Sequence, residues 1–381
     1  MILYNVSEKN NMPKISVLIP VYNAHDYLHE SIPCLLNQTF EDIELICVND
    51  GSKDDSLDIL NEFAAKDSRI KVIDKENGGC GSARNRALDE ACGDYIYFFD
   101  PDDRVLPETL DEAYASAVNN DSDLVVFKGV AFNDEEGVLK NRDYFSYSQY
   151  FDDIDFSHFT FNYRDAPDIV LNGAIAPWAK LYKKEFMDRY DDFRFDLGIA
   201  FDDVPFHVKT MLRARKISFV DKTFYHYRIS NPNSVNSTSS NGFDIFKIFD
   251  IVEGILKGEN CFDDFKSDYY RFIVFHAGLY IINTNSEEYF RLTKEKFLQI
   301  DGAYVEEFPK RVKNYYYDVM ASEKLADYIL LNKERKISSL KRKISKLEKE
   351  NRKLKKANNE LVNSKSWKIT KPIRSLKRHV K

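Results

Sequence analysis

The sequence predicts an α/β protein whose first half is a parallel sheet covered by helices on both faces, with helices and a C-terminal coiled coil after it. Three observations carry this. Short β-branched apolar runs alternate with amphipathic segments over the first 130 residues. The polar turn signals collect where those runs end, which is where α/β sheets hold ligands. After residue 332 the composition changes abruptly: residues 333–381 carry 19 Lys/Arg against 4 Asp/Glu, leaving the rest with 36 basic and 58 acidic residues. An acidic body with a basic tail is two devices in one chain.

The elements follow in order. KISVLIPVY (14–22) reads as a strand, and HDYLHESIPCLLNQ (25–38) as a helix with Leu28, Ile32, Leu35 and Leu36 at helical spacing, weakened or kinked at Pro33. IELICVN (43–49), IKVID (70–74), YIYFF (95–99) and DLVVFKG (123–129) read as further strands. DDSLDILNEFAAK (54–66), GSARNRALDEAC (81–92) and a segment around 108–118 read as helices. Strands this continuously apolar are buried on both faces. From about 150 to 235 the pattern is irregular and aromatic-rich, and helical spacing returns from about 243 to 330. FIVFHAGLYII (272–282) is far short of the ~20 apolar residues that span a bilayer, so it reads as a core helix. The opening MILYNVSEKNNMPK lacks the basic start and apolar stretch of a signal peptide. Five cysteines without CxxC spacing point to a reducing compartment, with neither a disulfide framework nor a zinc site. The expectation is a cytoplasmic protein, free to lie on the membrane's cytoplasmic face.

Two familiar phosphate cradles are excluded. A dinucleotide fingerprint needs glycines after the first strand, where the chain reads VYNAHD, and no GxxxxGK[ST] loop occurs. The fourth strand instead runs straight into Asp100, Asp102 and Asp103, with Pro101 between the first two. Pro101 keeps Asp100 out of the helical conformation, so Asp100 and Asp102 can project to one side. Unpartnered, such carboxylates resist ionising together. Two that converge suit a hard divalent cation, Mn²⁺ or Mg²⁺.

The ordered set ISVLIPVYN…NDGSKDDS…ENGGCGSARNRAL…GDYIYFFDPDDRV resembles the family-2 glycosyltransferases over about residues 14–235. The resemblance implies the GT-A fold, a mixed nucleotide-binding sheet flanked by helices. With the spacing and charge of the C-terminal segment, the chain is expected to divide into a GT-A domain (1–235), a helical region packing on the body (236–332), a coiled-coil helix (333–365) and a basic amphipathic tail (366–381). Within the first, the donor half would be about 14–130 and the acceptor and base half about 131–235. The resemblance implies that Pro20, Tyr22 and Asp50 hold the base, usually uracil, whose imide N–H a carboxylate can accept and whose face an aromatic ring can cover. It places Arg84 toward the nucleotide, Asp100 on the ribose and Asp102 on the metal that bridges the diphosphate. Asp103 is expected to cap the following helix.

GIAFDDVPF (198–206) resembles the family's Glu-Asp stretch, whose second acid is the catalytic base; that points to Asp203. Asp202 departs from the usual Glu, which puts its acceptor-side role in doubt. One general base suffices for inverting transfer, because a nucleotide leaving group needs no acid. APWAKLYKKEF (176–186) offers Trp178 to stack on a sugar or acceptor, with a buried core Trp as the alternative. FYHYRISNPNSVNS (224–237) offers His226 as a third metal ligand and Arg228 for the diphosphate. Ser and Asn at 230, 231, 233, 234 and 236 suit a mobile lid.

In the tail, Ile337, Leu340, Ile344, Leu347, Asn351, Leu354, Asn358 and Leu361 are spaced 3 and 4 alternately, an a/d seam with Asn at two a positions. It predicts a homodimer, or a single exposed basic helix whose flanking lysines and arginines call for a negative partner. SWKITKPIRSLKRHVK (366–381) suits an anionic membrane surface; nothing in the body supports nucleic acid. Taken together, the expectation is a metal-dependent, inverting glycosyltransferase moving a sugar from a UDP-sugar to a cell-surface or wall glycan, lipid-linked or free. The rivals are a non-catalytic nucleotide-sugar-binding scaffold and a nucleotidyltransferase on a similar sheet.

Overall fold

The structure, a computed structural model, describes residues 12–135, 137–144, 158–231 and 242–363. The first half is β1 (Ile15–Val21), α1 (His25–Leu36), β2 (Ile43–Asp50), α2 (Ser56–Ala64), β3 (Ile70–Lys75), α3 (Cys80–Glu90), β4 (Tyr95–Phe98), β5 (Arg104–Val105), α4 (Thr109–Asn120) and β6 (Leu124–Asn133). Next come β7 (Gly137–Tyr144), β8 (Thr160–Phe161), α5 (Ile169–Asn172), a single 3₁₀ turn (Pro177–Ala179), β9 (Lys180–Lys183), α6 (Lys184–Met187), α7 (Asp203–Arg213) and β10 (Ile217–Arg228). Six helices follow: α8 (Asp244–Gly258), α9 (Lys266–Thr284), α10 (Glu287–Leu298), α11 (Gly302–Val305), α12 (Lys310–Ala321) and α13 (Leu325–Asn363).

The strands form one mixed sheet in the order β3-β2-β1-β4-β9-β6-β10-β5, with β7 on β6 and β8 on β10. β1 to β4 pair in parallel, as their alternation with helices requires. The sheet is not parallel throughout: β9 enters between β4 and β6 and runs antiparallel to both. Every residue of β1 is buried, with Leu18 in one apolar cluster and Val17, Ile19 and Val21 in the other. That two-sided burial is why the strands read as unbroken apolar runs. Helices α1, α2 and α4 close one face through Leu28, Ile32, Leu35, Leu60 and Leu110. On the other face Ala83 and Ala87 of α3 join Val204 and Phe206 of α7, and the same cluster continues into Ile248 and Phe249 of α8 and Phe272 and Ile273 of α9. The C-terminal helices therefore share the sheet's core.

Helix α1 continues through Pro33 to Leu36. Proline removes one backbone donor, and the buried face of Leu28, Ile32 and Leu35 holds the helix across the gap. Among the described residues no helix is long and apolar enough to cross a membrane. The lid positions 233, 234 and 236, the side chain of Leu361 and the tail 366–381 lie outside what is described.

Candidate active site

The carboxyl ends of β1, β2 and β4, the start of α3, the segment before α7 and the end of β10 surround one cleft of about 1110 Å³. Its wall includes Pro20, Tyr22, Asp50, Arg84, Asp100, Asp102, Trp178, Asp202, Asp203 and Arg228. Ten of the eleven site residues expected from the sequence thus face one space; His226 is not in this wall.

At the β1 end, Tyr22 is half exposed, so its ring offers an open face. Opposite it, Asp50 is 2% exposed. Its Oδ1 accepts from Lys75 Nζ (2.5 Å) and from the backbone N–H of Gly78 (3.0 Å), and its Oδ2 from the N–H of Gly79 (2.8 Å). Three donors hold this carboxylate rigid, leaving lone-pair capacity for a further one. Gly51, at φ 68°, follows where a Cβ would press on the Asn77 backbone nitrogen. Only glycine accepts that combination without strain.

Arg84 projects from α3 and is 6% exposed. Its guanidinium donates to Asp100 Oδ1 (2.9 Å), lies 3.7 Å from Asp202 Oδ1 and covers the Phe195 ring. Its Nε is buried without a partner. One cation therefore ties the β4 end to the N-terminus of α7. Gly81, one turn earlier, makes that approach possible, because a Cβ there would run into the Asp202 carboxylate.

The aspartate turn is differentiated by burial. Asp102 accepts from Asn231 Nδ2 (2.7 Å). Burial pushes its pKa up, the neighbouring Asp100 adds to this, and Asn231 and Arg228 pull the other way. Asp103 is not a helix cap: α4 begins at Thr109, six residues on. Instead Asp103 is 1% exposed and accepts from Tyr225 Oη (2.6 Å) and the Arg228 backbone N–H (2.7 Å), clamping β10 to the turn. Burial raises its pKa well above the carboxylate range.

Two further residues have other partners in the structure. The Arg228 guanidinium, expected on a diphosphate, is 4% exposed and donates to Glu30, Asp134 and the backbone carbonyl of Asp102, over the rings of Tyr27 and Phe132. Buried beside two carboxylates, it pins the aspartate turn to α1. His226 lies two residues further back along β10, ~7 Å by strand geometry. There it pairs with Arg104 of β5, with its ring against Phe132. Burial and Arg104 lower its pKa.

In the 3₁₀ turn before β9, Trp178 is 4% exposed and stacks on Tyr225 (3.9 Å between centroids) and Tyr227 (5.7 Å). It is the buried core Trp rather than an open stacking platform. Asp202 precedes α7 and Asp203 opens it. Burial lifts Asp202 to about 7, Asp203 and Asp100 reinforce the rise, and Arg84 opposes it. Burial also raises Asp203, with Arg84 and Lys180 opposing and Asp100 reinforcing. A carboxyl poised upward in a cleft is suited to accepting a proton.

Three contributors escaped the sequence. Lys180 is fully buried and donates to the carbonyls of Ala174, Ile175 (3.2 Å) and Ala176 (2.7 Å), fixing a loop of the cleft wall. Burial draws its pKa down to about 7. A lysine inside the apolar WAKLY was the available signal. His276 and Tyr280, one turn apart on α9, also face the cleft. Burial lowers His276 to about 4, and burial plus the nearby Asp203 raises Tyr280 to about 12. In an apolar run they read as core residues.

Among the described residues no group of three or more His, Cys, Asp and Glu side chains is gathered to hold a metal. The donor set at the turn is nevertheless of the right kind: Asp102 offers hard carboxylate oxygen in a buried position beside a second carboxylate, where a cation would relieve the mutual repulsion.

A mixed sheet flanked by helices, with a carboxylate-lined cleft at the ends of its parallel strands, is an α/β architecture of the GT-A type. Residues 16–184 match the family model described as glycosyl transferase family 2. Glycosyltransferase GlyG of Streptococcus pneumoniae serotype 4 (strain ATCC BAA-334 / TIGR4) is 33% identical over 242 residues, which cover 63% of this chain and 77% of that protein. Glycosyltransferase GlyA of the same strain is 32% identical over 222 residues; the match takes in 57% of this chain and only 30% of GlyA's length. The crystal structure of S. aureus TarS 1–349 in complex with UDP-GlcNAc has the same fold, with a TM-score of 0.51, 22% identity and coverage of 83% of this chain and 89% of that one. The chain belongs to glycosyl transferase family 2.

Proposed function

We propose that this chain is a metal-dependent, inverting glycosyltransferase that moves a sugar from a UDP-sugar to a hydroxyl of a cell-surface or wall glycan. The observation that carries the reading is that Asp203, a carboxyl raised by burial, lines the same cleft as Asp100 and Asp102. Strand ends of the sheet and the start of α7, far apart in sequence, line this single volume. In this reading the GT-A domain spans 1–235 and the helices of 236–332 complete the cleft wall through α9. Tyr22 covers the base, Asp50 takes its imide proton donor, and Asp100 orients the ribose. Asp102 would hold the divalent cation, which supplies Lewis acidity to a departing diphosphate. Asp203 accepts the proton from the acceptor hydroxyl as that oxygen attacks the anomeric carbon from the face opposite the leaving group. Arg84 keeps Asp100 and the start of α7 in fixed relation while this happens.

The test is calorimetric titration of UDP with and without Mn²⁺, on wild type, Asp102→Asn and Asp203→Asn. The reading expects Mn²⁺-dependent binding that Asp102→Asn abolishes. It also expects Asp203→Asn to bind UDP normally while sugar transfer falls by about 10²–10⁴-fold. Full turnover in Asp203→Asn would remove that residue as the base. No UDP binding under either condition would remove the uridine donor.

A further inference from the structure

Helix α13 is 39 residues long, ~58 Å at the usual rise. Its start belongs to the body: Leu325 and Tyr328 are buried, and Arg335 pairs with the buried Asp318 (2.5 Å). From residue 333 through 360 every side chain is exposed. Ile337, Leu340, Ile344, Leu347 and Leu354 are all at least half exposed, up to 70% at Leu354. An apolar row of that length on one helix face is costly to leave in water and marks an interaction surface.

We infer that this row is the seam of a parallel two-stranded coiled coil formed with a second copy of the same chain. Three features select that occupant. Isoleucine occupies a at 337 and 344, and leucine occupies d at 340, 347 and 354, the arrangement that favours two strands. Asn351 and Asn358 both fall at a. In a parallel pair each meets its own copy and the amides hydrogen-bond, whereas antiparallel packing would set each against a d-position leucine and strand a buried amide. The charges agree with the same register. The flanking pairs of a parallel dimer, g to the e of the partner's next heptad, are Lys343 with Glu348 and Glu350 with Lys355, both attractive. Lys336 with Lys341 repels. Arg342, Lys346, Lys349, Arg352, Lys353 and Lys356 fall at b, c and f, outside the seam. Two of these three flanking pairs favour pairing and one opposes it, so the seam is less repulsive than the composition of the segment suggests.

Light scattering coupled to size exclusion, on the full chain at micromolar concentration, is expected to give twice the 44.5 kDa chain mass. Leu340→Glu/Leu347→Glu should give the single-chain mass with an unchanged thermal transition of the body, since neither residue touches it. Glu348→Lys/Glu350→Lys should weaken association by about tenfold or more, and adding Lys343→Glu/Lys355→Glu should restore it. Asn351→Cys should cross-link into a dimer under mild oxidation, beyond any background in wild type, because a positions face each other when the helices run parallel. A monomeric wild type, a trimer, a charge exchange without rescue, or an Asn351→Cys variant that fails to cross-link would each overturn the inference.

Discussion

Replacing Asp103 by alanine isolates the clamp between the aspartate turn and β10. The side chain is buried and accepts two hydrogen bonds, from Tyr225 Oη at 2.6 Å and from the Arg228 backbone N–H at 2.7 Å. Alanine leaves both donors unsatisfied, at about 1–3 kcal/mol each, so the loss should be about 2–6 kcal/mol. Asparagine should cost about 1 kcal/mol or less: its carbonyl can take the Arg228 N–H, and its amide can donate to a rotated Tyr225 hydroxyl. Burial raises the pKa of the native carboxyl, the direction in which a neutral amide becomes a closer replacement. Denaturant unfolding reads the difference through Trp178, which stacks on Tyr225; a Trp367→Phe background removes the second of the two tryptophans. If alanine lies within about 1 kcal/mol of wild type, water reaches the clamp and the burial argument fails. If asparagine is as damaging as alanine, the ionised carboxylate is the working form and the direction assigned to its pKa is wrong.

Gly81→Ala should push Asp202 aside, because the new Cβ would also sit 3.1 Å from the Asp196 carbonyl oxygen; steady-state kinetics should show kcat/KM reduced by about 10–100-fold, and full activity would show that the Asp202 position is not critical. Lys180→Ala should cost at least about 3 kcal/mol, since three carbonyls lose their donor and a cavity opens; equal stability in denaturant would contradict the closed loop. Asp202, raised from 3.8 to about 7, keeps its proton in the folded state where the unfolded chain has released it. Its contribution is therefore full below about pH 4 and lost as pH rises to 7, by up to roughly 4 kcal/mol. Wild type should lose stability relative to Asp202→Asn across that window, and parallel pH curves would refute the shift.

What could be read in advance divides along a physical line. β1 to β4 were legible because each strand is buried on both faces and each helix between them keeps one apolar face. The aspartate turn was legible because Pro101 and the end of an apolar strand mark it locally. β9 was not: KLYK after Ala-Pro-Trp-Ala carries little strand signal, and its place between β4 and β6 is decided by pairing with residues far away in sequence. Arg228 and His226 were assigned by motif, but their surroundings come from Glu30, Asp134 and Arg104, which no local pattern brings to β10. Tyr280 and His276 look like core residues in sequence because one face of α9 serves both the core and the cleft.

The position of β9 also has a bearing on how the chain is made. During synthesis β1 to β4 emerge first and can pair among themselves, leaving YIYF of β4 as an open apolar edge. The segment that covers this edge, Lys180–Lys183, arrives only after β6, β7 and β8. Until then the nascent chain displays a strand able to join another molecule's edge. Shielding of this edge while residues 98 to 183 are made would therefore favour the native pairing over pairing with another molecule.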